Sequence, residues 1–302
     1  MGPSPESGGW LLVGASGPLA TVQDLGRPGH AHEGVPPSGA ADPRSHRLAN
    51  RLVGNPPGAA TIEVTLGGLS VLLGGAGAPR TVAVTGAAAP MTVGGRPAAL
   101  YAPVALRPGE EVVLGTPERG LRSYLAVAGG ITVPAELGSR STDLLSGLGP
   151  PPLRAGGRIP LGPPPAGAEA PPGSDVAAAG SATPAGPGRV GIVPGPRADR
   201  LPPGGWETLT GVTWTVTAAS NRVGLRLSGP RLPTAPGELA PEGLCTGAIQ
   251  VPPGGQPVVF LADHPVTGGY PVVGVVGGDA DLATLAQLRP GDRLELVRPV
   301  IA

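Results

Sequence analysis

Between Asp263 and Tyr270 the chain sets a carboxylate, an imidazole, a hydroxyl and a phenol within eight residues: Asp263, His264, Thr267 and Tyr270. Carboxylates and imidazoles exchange protons in the range where general acid–base catalysis works, and a phenol can hydrogen-bond an oxygen that gains charge. Gly268 and Gly269 lie among them and let backbone approach a ligand closely. With four histidines and three tyrosines in 302 residues, their meeting in one loop makes it a candidate site. Asp263, His264 and Tyr270 are the candidate catalytic residues and Thr267 a candidate for substrate binding. The plain alternative is a structural histidine, its loop stiffened by Pro265.

Two further clusters carry usable chemistry. In Ser220-Asn221-Arg222, Arg222 stands at a strand entrance, where its guanidinium could fork onto a carboxylate or phosphate. Asn221 could orient a carbonyl, or simply make a turn. Near the start, Gln23, Asp24 and Arg27 alternate with turn formers. They read as a binding loop, or as a surface loop in which Asp24 and Arg27 pair with each other.

These residues need strands to hold them. The apolar run before Asp263 reads as a buried strand, Val258 to Ala262. Short Val/Leu-rich runs recur at Trp10 to Val13, Thr61 to Leu66, Leu69 to Leu73, Thr81 to Thr85, Glu111 to Leu114 and Arg122 to Val127. They recur again at Val190 to Val193, Thr213 to Thr217, Val223 to Leu227, Ala248 to Val251, Val272 to Val276 and Arg293 to Val297. With 53 glycines and 42 prolines as punctuation, this pattern predicts a mainly β protein with a few short helices. Gly14 to Ala41 reads as a long polar loop. Asp42-Pro43 opens a helix that runs to about Val53 and stops at Gly54; Asp281 caps a second, through Gln287.

Leu106-Arg107-Pro108-Gly109-Glu110 is echoed by Leu288-Arg289-Pro290-Gly291-Asp292, each before an alternating strand, which favours two similar barrels. The expected organisation is a lead-in over 1–9, a first barrel over 10–150, a Pro/Gly/Ala-rich linker over 151–188 and a second barrel over 189–302.

Composition excludes several classes. The formal net charge is zero and aromatics make up 2%, so nothing suggests nucleic acid or an anionic membrane. All 21 basic residues are arginine. A Schiff-base lysine, a P-loop lysine and covalently attached biotin are therefore impossible on this chain. Cys245 is the single cysteine, which rules out an intrachain disulfide and suggests a reducing, cytoplasmic setting. No leader-like or membrane-spanning run is evident. No Gly-x-Ser-x-Gly, His-Glu-x-x-His or EF-hand pattern occurs, so no metal site is assigned.

In combination, the motifs resemble one family. They are Thr21-Val22-Gln23-Asp24-x-Gly26-Arg27, Gly34-Val35-x-x-Ser38-Gly39-Ala40-x-Asp42, Ala49-Asn50-x-Leu52-Val53-Gly54-Asn55 and Ile62-Glu63-Val64-Thr65. Further on come Ser220-Asn221-Arg222-x-Gly224, Glu242-Gly243, Gly247 through Pro257, and Ala262-Asp263 through Thr267-Gly268-Gly269-Tyr270-Pro271. The likeness, spanning about residues 10–298, is to the KipA-like, or allophanate-hydrolase-subunit-2, family of biotin-dependent carboxyltransferase-like proteins, which includes one of the subunits of bacterial 5-oxoprolinase. It departs at His264, where an arginine is frequent.

The resemblance implies two tandem cyclophilin-like β-barrels, a KipI-like subunit that completes a composite site, and a further, LamB/YcsF-like subunit. The implied activity is ATP-dependent opening of a small amide, 5-oxoproline, to glutamate, with Mg²⁺ at the partner interface. Arg222, with Arg27 second, would hold the substrate carboxylate. Gln250, Asn221 and Tyr270 would hold the substrate or its oxyanion, with Gln23, Asp24 and Glu63 next. The alternatives are carboxyl transfer to urea or a similar amide from biotin carried on another chain, and a regulator that only binds a KipI-like partner.

Overall fold

The computed structural model describes residues 9–75, 78–164, 187–235, 237 and 239–298. The fold is mainly β, with two compact units. Unit one holds the described residues of Met1–Gly26, Asp42–Thr142 and Gly147–Ala182; unit two holds those of Arg27–Ala41, Asp143–Ser146 and Thr183–Ala302.

The strands of unit one are β1 (Trp10–Ser16), β2 (Leu19–Gln23), β3 (Thr61–Thr65), β4 (Leu69–Gly74), β5 (Arg80–Gly86), β6 (Met91–Val93), β7 (Arg96–Pro97), β8 (Val104–Leu106), β9 (Glu111–Leu114), β10 (Arg122–Val127) and β11 (Arg158–Pro160). They form two sheets, in the orders β11-β1-β4-β9-β6-β7 and β2-β3-β10-β5-β8. Alternate residues of both sheets, among them Leu11, Ile62, Val71, Val84, Val112 and Leu125, meet in one buried cluster. Such shared burial is the main favourable term in folding. Unit one is thus two sheets around a core rather than a closed barrel.

The helix expected after Asp42 is present as α1 (Pro43–Leu52). The Asp42 carboxylate accepts from Ser45 N–H at 3.0 Å and Ser45 Oγ at 2.7 Å, and Gly54 ends the turn in the left-handed region, φ 72°. Ser45, His46, Ala49, Asn50 and Leu52 form its buried side. The expected Gly14 to Ala41 loop is partly wrong. Leu19–Gln23 is a strand with four of its five residues buried, and burial on both faces erases the alternation that reveals a strand. The expected linker also starts later, since β11 pairs with β1. Residues 165–186 of it and the 1–8 part of the lead-in lie outside the described residues.

Unit two contains β12 (Gly188–Pro194), β13 (Thr213–Val216), β14 (Gly224–Ser228), β15 (Glu242–Gly243), β16 (Ala248–Gln250), β17 (Val258–Phe260), β18 (Thr267–Gly268), β19 (Val272–Val276) and β20 (Arg293–Val297), with helices α2 (Gly205–Gly211) and α3 (Asp279–Gln287). Seven strands close a barrel in the order β12-β19-β16-β17-β14-β13-β20, while β15 and β18 form a small ribbon. Closure leaves no exposed sheet edge. Trp214 is fully buried in the barrel core, and its Nε1–H donates to Leu209 O at 3.0 Å. Asp281 does not cap α3. The helix starts two residues earlier, and the Asp281 carboxylate instead accepts from Gly191 N–H at 3.0 Å.

The two echoed Pro-Gly segments make the same turn. Glu110 N–H donates to Arg107 O and Asp292 N–H to Arg289 O, while the two carboxylates accept from Arg107 N–H at 2.9 Å and Arg289 N–H at 2.8 Å. Gly109 and Gly291 both take positive φ. Each turn feeds a strand, β9 or β20.

Candidate functional site

The strand-end loop of unit two is built from β17 onward. Leu261 N–H donates to Val223 O and Asp263 N–H to Arg222 O, fixing the loop to the entrance of β14. The Asp263 carboxylate then meets four donors. Arg222 Nε lies at 2.9 Å and Nη2 at 3.0 Å, in a bidentate pair. Ser38 Oγ lies at 2.8 Å and Leu144 N at 3.2 Å. Arg222 Nη2 also donates to Gly39 O at 2.6 Å. Ser38 and Gly39 both have positive φ, 52° and 97°, a costly backbone for the serine; it sets the Ser38 hydroxyl and the Gly39 carbonyl side by side on the ion pair.

This geometry corrects two expectations. Arg222 is 1% exposed and Asp263 is 0% exposed. A substrate carboxylate could engage Arg222 only by leaving Asp263 buried and uncompensated, at a cost of about 3–5 kcal/mol. Asp263, with both oxygens taken up by donors, is placed to position loops rather than to move protons.

His264 is 3% exposed. Its Nδ1 lies 2.8 Å from Pro265 O, so Nδ1 carries the proton and Nε2 is left as the basic nitrogen. Burial pushes the imidazole below its ordinary pKa, against smaller opposing contributions from the Pro265 carbonyl, Asp263 and Asp143. It is a neutral base packed beside Phe260, buried where an open position was expected.

Gln250 and Asn221 also serve the scaffold. Gln250 is buried, and its Nε2 donates to Tyr270 O at 2.8 Å. Asn221 Oδ1 accepts from Val223 N at 2.8 Å in a side-chain turn. Asn221 is itself exposed, as are Thr267 and Tyr270. Thr267 sits in β18, paired with Gly243 of β15. Tyr270, 47% exposed, lines a groove of about 440 Å³ with Arg200, Arg231, Thr234, Leu239 and Val251. Two guanidinium groups, a phenol and a hydroxyl against an apolar wall suit a small anionic solute with a carbonyl.

The candidates of the first motif are buried. Asp24 accepts from Ser139 Oγ, Ser141 Oγ and Arg140 N, each at 2.6 Å, and from Gly26 N at 2.8 Å. Gln23 donates to Thr21 Oγ1 and Thr142 O. Glu63 accepts from Tyr124 OH at 2.8 Å and faces Arg122 Nε at 3.5 Å. Next to that network His46 is fully buried, and desolvation pushes its pKa down to about 4. Arg27, in unit two, is 1% exposed. Roles for Gln23, Asp24, Glu63 and Arg27 as open ligand contacts do not fit this burial.

Among the described residues no three His, Cys, Asp or Glu side chains converge as a metal-ligand set. No helix is long and apolar enough to cross a membrane among them.

Residues 33–298 match the family described as carboxyltransferase domain, subdomain A and B. The chain belongs to this family. The carboxyltransferase-domain chain is 35% identical over 292 residues to the C component of the 5-oxoprolinase of Escherichia coli (strain K12), covering 95% of this chain and 91% of that one. It is 34% identical to the urea amidolyase of Lachancea kluyveri, over 94% of this chain but 17% of the other. Among solved structures, TTHA0988 superposes with a TM-score of 0.82 at 31% identity, over 96% of this chain and 56% of that one. The urea amidolyase of K. lactis superposes at 0.83 and 30% identity, over 96% and 18%. The chain therefore spans about half or less of those solved structures.

Sequence reasoning missed Ser38, Gly39 and Leu144 as holders of the ion pair, and Arg200, Arg231 and Thr234 as groove residues of this carboxyltransferase domain. Ser38 and Gly39 stand in one of the motifs, but nothing local ties them or Leu144 to the ion pair, which they reach from distant stretches of chain. For the groove no local signal exists, because its wall is assembled from four separate stretches of chain.

Proposed function

We propose that this chain is a subunit of an ATP-dependent cyclic-amide hydrolase that, with partner subunits, converts 5-oxo-L-proline, ATP and water to L-glutamate, ADP and phosphate. The observation that carries this reading is its near end-to-end correspondence with the C component of 5-oxoprolinase. The Tyr270 groove supplies matching chemistry. Arg231, exposed at its rim, takes the substrate carboxylate by a charge-assisted fork, and Arg200 flanks it. The Tyr270 phenol donates to the lactam oxygen. An amide carbonyl resists water through resonance; phosphoryl transfer from ATP to that oxygen releases ADP and makes the carbon electrophilic, one water adds and the ring C–N bond breaks to leave γ-glutamyl phosphate, and a second water cleaves that acyl phosphate to glutamate and phosphate. The partners that resemblance implies, one KipI-like and one LamB/YcsF-like, complete the site and hold the nucleotide with its Mg²⁺. His264 Nε2 remains a candidate base if the partner opens its loop.

The likeness to urea amidolyases favours a second reading, in which the same groove binds an amide that accepts a carboxyl group from biotin on another chain. Reconstitution with the partner subunits decides between them. ATP-dependent glutamate release from 5-oxoproline supports the first reading. Transfer from free carboxybiotin to urea, without glutamate release, overturns it. Arg231→Ala is expected to lower kcat/KM about 10- to 100-fold, the worth of one charge-assisted contact.

A further inference from the structure

The Pro-Pro-Gly-Gly-Gln-Pro stretch, Pro252 to Pro257, belongs to a motif that the Tyr270 groove uses only in part. Val251 and Pro253 line that groove, whereas Pro252, Gly254, Gln256 and Pro257 line a second cleft of about 350 Å³. The floor of this cleft is β14, where Leu225 and Leu227 belong to the barrel core and Arg226 and Ser228 alternate to the outside. The loop above it is held from two sides. Gln256 clamps Gly229, accepting from its N–H at 2.9 Å and donating to its carbonyl at 3.2 Å. Gly255, at φ 75°, passes so close to Arg231 that a Cβ would lie 2.6 Å from Arg231 Cγ, and its carbonyl accepts from Leu232 N–H at 2.9 Å.

Three polar side chains of the cleft lack partners of their own. Arg226 is exposed, and no acidic residue lines the cleft beside it. Its in-register neighbour on β17 is Val258, and on the other side its carbonyl accepts from Thr217 N–H at 2.9 Å, so neither adjacent strand sets a carboxylate against it. Among the described residues no ion pair or hydrogen bond engages the guanidinium. The Ser228 hydroxyl is likewise open. Thr217 Oγ1 is covered by protein yet has no hydrogen-bond partner, a state that costs about 1–3 kcal/mol. A solvated arginine on a strand needs no explanation; a covered, unsatisfied hydroxyl in the same cleft wall does. A carboxylate answers all three groups. Its two oxygens accept the guanidinium fork and keep lone pairs for the hydroxyls of Ser228 and Thr217, the second once a turn about χ1 brings Oγ1 to the cleft. One guanidinium balances one negative charge, and Pro252, Pro257 and Val258 offer an apolar wall to the rest of the molecule. The volume is in the range of small-molecule sites, about 300–1,000 Å³. We infer that this cleft binds a small organic monocarboxylate through Arg226, Ser228 and Thr217. It shares no lining residue with the Tyr270 groove and does not rest on the 5-oxoprolinase reading, because binding is measured on this chain without partners or turnover.

The test is a titration of the full chain with benzoate, followed by NMR at the backbone amides of Gly254, Gln256 and Ser228 and at the Arg226 Nε–H, with melting curves alongside. Benzoate is expected to shift these signals with about millimolar affinity. Benzamide keeps the shape without the charge, and inorganic phosphate keeps the charge without the apolar body; each should bind about tenfold or more weakly. Arg226→Gln should weaken benzoate binding about tenfold or more, and Ser228→Ala about threefold. Thr217→Val removes a hydroxyl that has no partner, so the melting temperature without ligand should hold or rise while benzoate binding weakens about threefold or more, which separates lost binding from lost folding. The response should persist in Arg231→Gln, where the neighbouring groove has lost its rim cation; a response that disappears there was relayed from the groove and overturns the proposal. Unmoved signals, affinity unchanged in Arg226→Gln or in Thr217→Val, or benzamide or phosphate binding as tightly as benzoate, also overturn it.

Discussion

Removing the charges of Arg222 and Asp263 singly and together tests whether the pair is scaffold. Asp263→Leu leaves the Arg222 guanidinium, 1% exposed, with the neutral Gly39 O where a carboxylate had faced it. An uncompensated buried charge of this kind costs about 3–5 kcal/mol. Arg222→Met leaves the carboxylate with Ser38 Oγ and Leu144 N, two neutral donors in place of a bidentate cation, for a loss of about 2–4 kcal/mol. In Arg222→Met/Asp263→Leu no buried charge remains. What is lost is hydrogen bonding at Ser38, Gly39 and Leu144, at about 1–3 kcal/mol for each group left unsatisfied. Some of these groups can turn toward water, so the double variant should sit well short of the sum of the singles, with a coupling of about 2–4 kcal/mol. Urea unfolding of the four proteins at neutral pH measures it. Additivity within about 0.5 kcal/mol would refute the claim that these two groups are committed to each other, and would return Asp263 to the list of proton-transfer candidates.

Other consequences can be checked separately. His46 has a folded pKa of about 4 against about 6.5 unfolded. The unfolded chain therefore binds the extra proton first as pH falls, and stability tied to this residue, complete above about pH 6.5, is lost down to about pH 4. Between pH 7.5 and 4.5 this amounts to about 2.5 kcal/mol, read as the difference in pH dependence between the natural chain and His46→Gln; identical slopes would contradict it. A Cβ on Gly74 would lie 2.1 Å from the Trp10 ring, which is itself stacked under Arg158. Gly74→Ala should cost about 1–3 kcal/mol and change tryptophan fluorescence, and an unaltered melt would show that the ring moves freely. Tyr270→Phe, at a 47% exposed position, should leave stability within about 0.5 kcal/mol while lowering turnover of the reconstituted complex about tenfold or more; full turnover would remove the phenol from the chemistry.

The fold was legible where local rules suffice. Asp42-Pro43 and Gly54 bracket α1 because capping is a matter of a few adjacent residues. The paired Pro-Gly turns at Gly109 and Gly291 could be matched for the same reason. Leu19–Gln23 escaped because a strand buried on both faces shows no alternation, and Asp281 was misread because a carboxylate near a helix start can also serve a neighbouring strand, here at Gly191.

The site was legible only as a set of residues, and the reason is physical. Asp263, Arg222, Gln250, Asp24 and Glu63 were chosen because they can do chemistry, but each polar group taken into a core must find partners or lose several kcal/mol. Residues with strong hydrogen-bonding capacity are therefore good at both tasks, and sequence alone does not say which groups meet. Ser38 and Leu144 satisfy Asp263 from stretches more than a hundred residues away in the chain, so their effect appears only once the chain is folded. What is left open to a solute is then set by subtraction: the exposed phenol of Tyr270 and the Arg231 guanidinium stand in a groove whose loop the Arg222–Asp263 pair and Gln250 hold in place. The motif residues thus shape the groove through the backbone they fix. That is why loss of the ion pair and loss of the phenol should separate experimentally, the first in stability and the second in turnover.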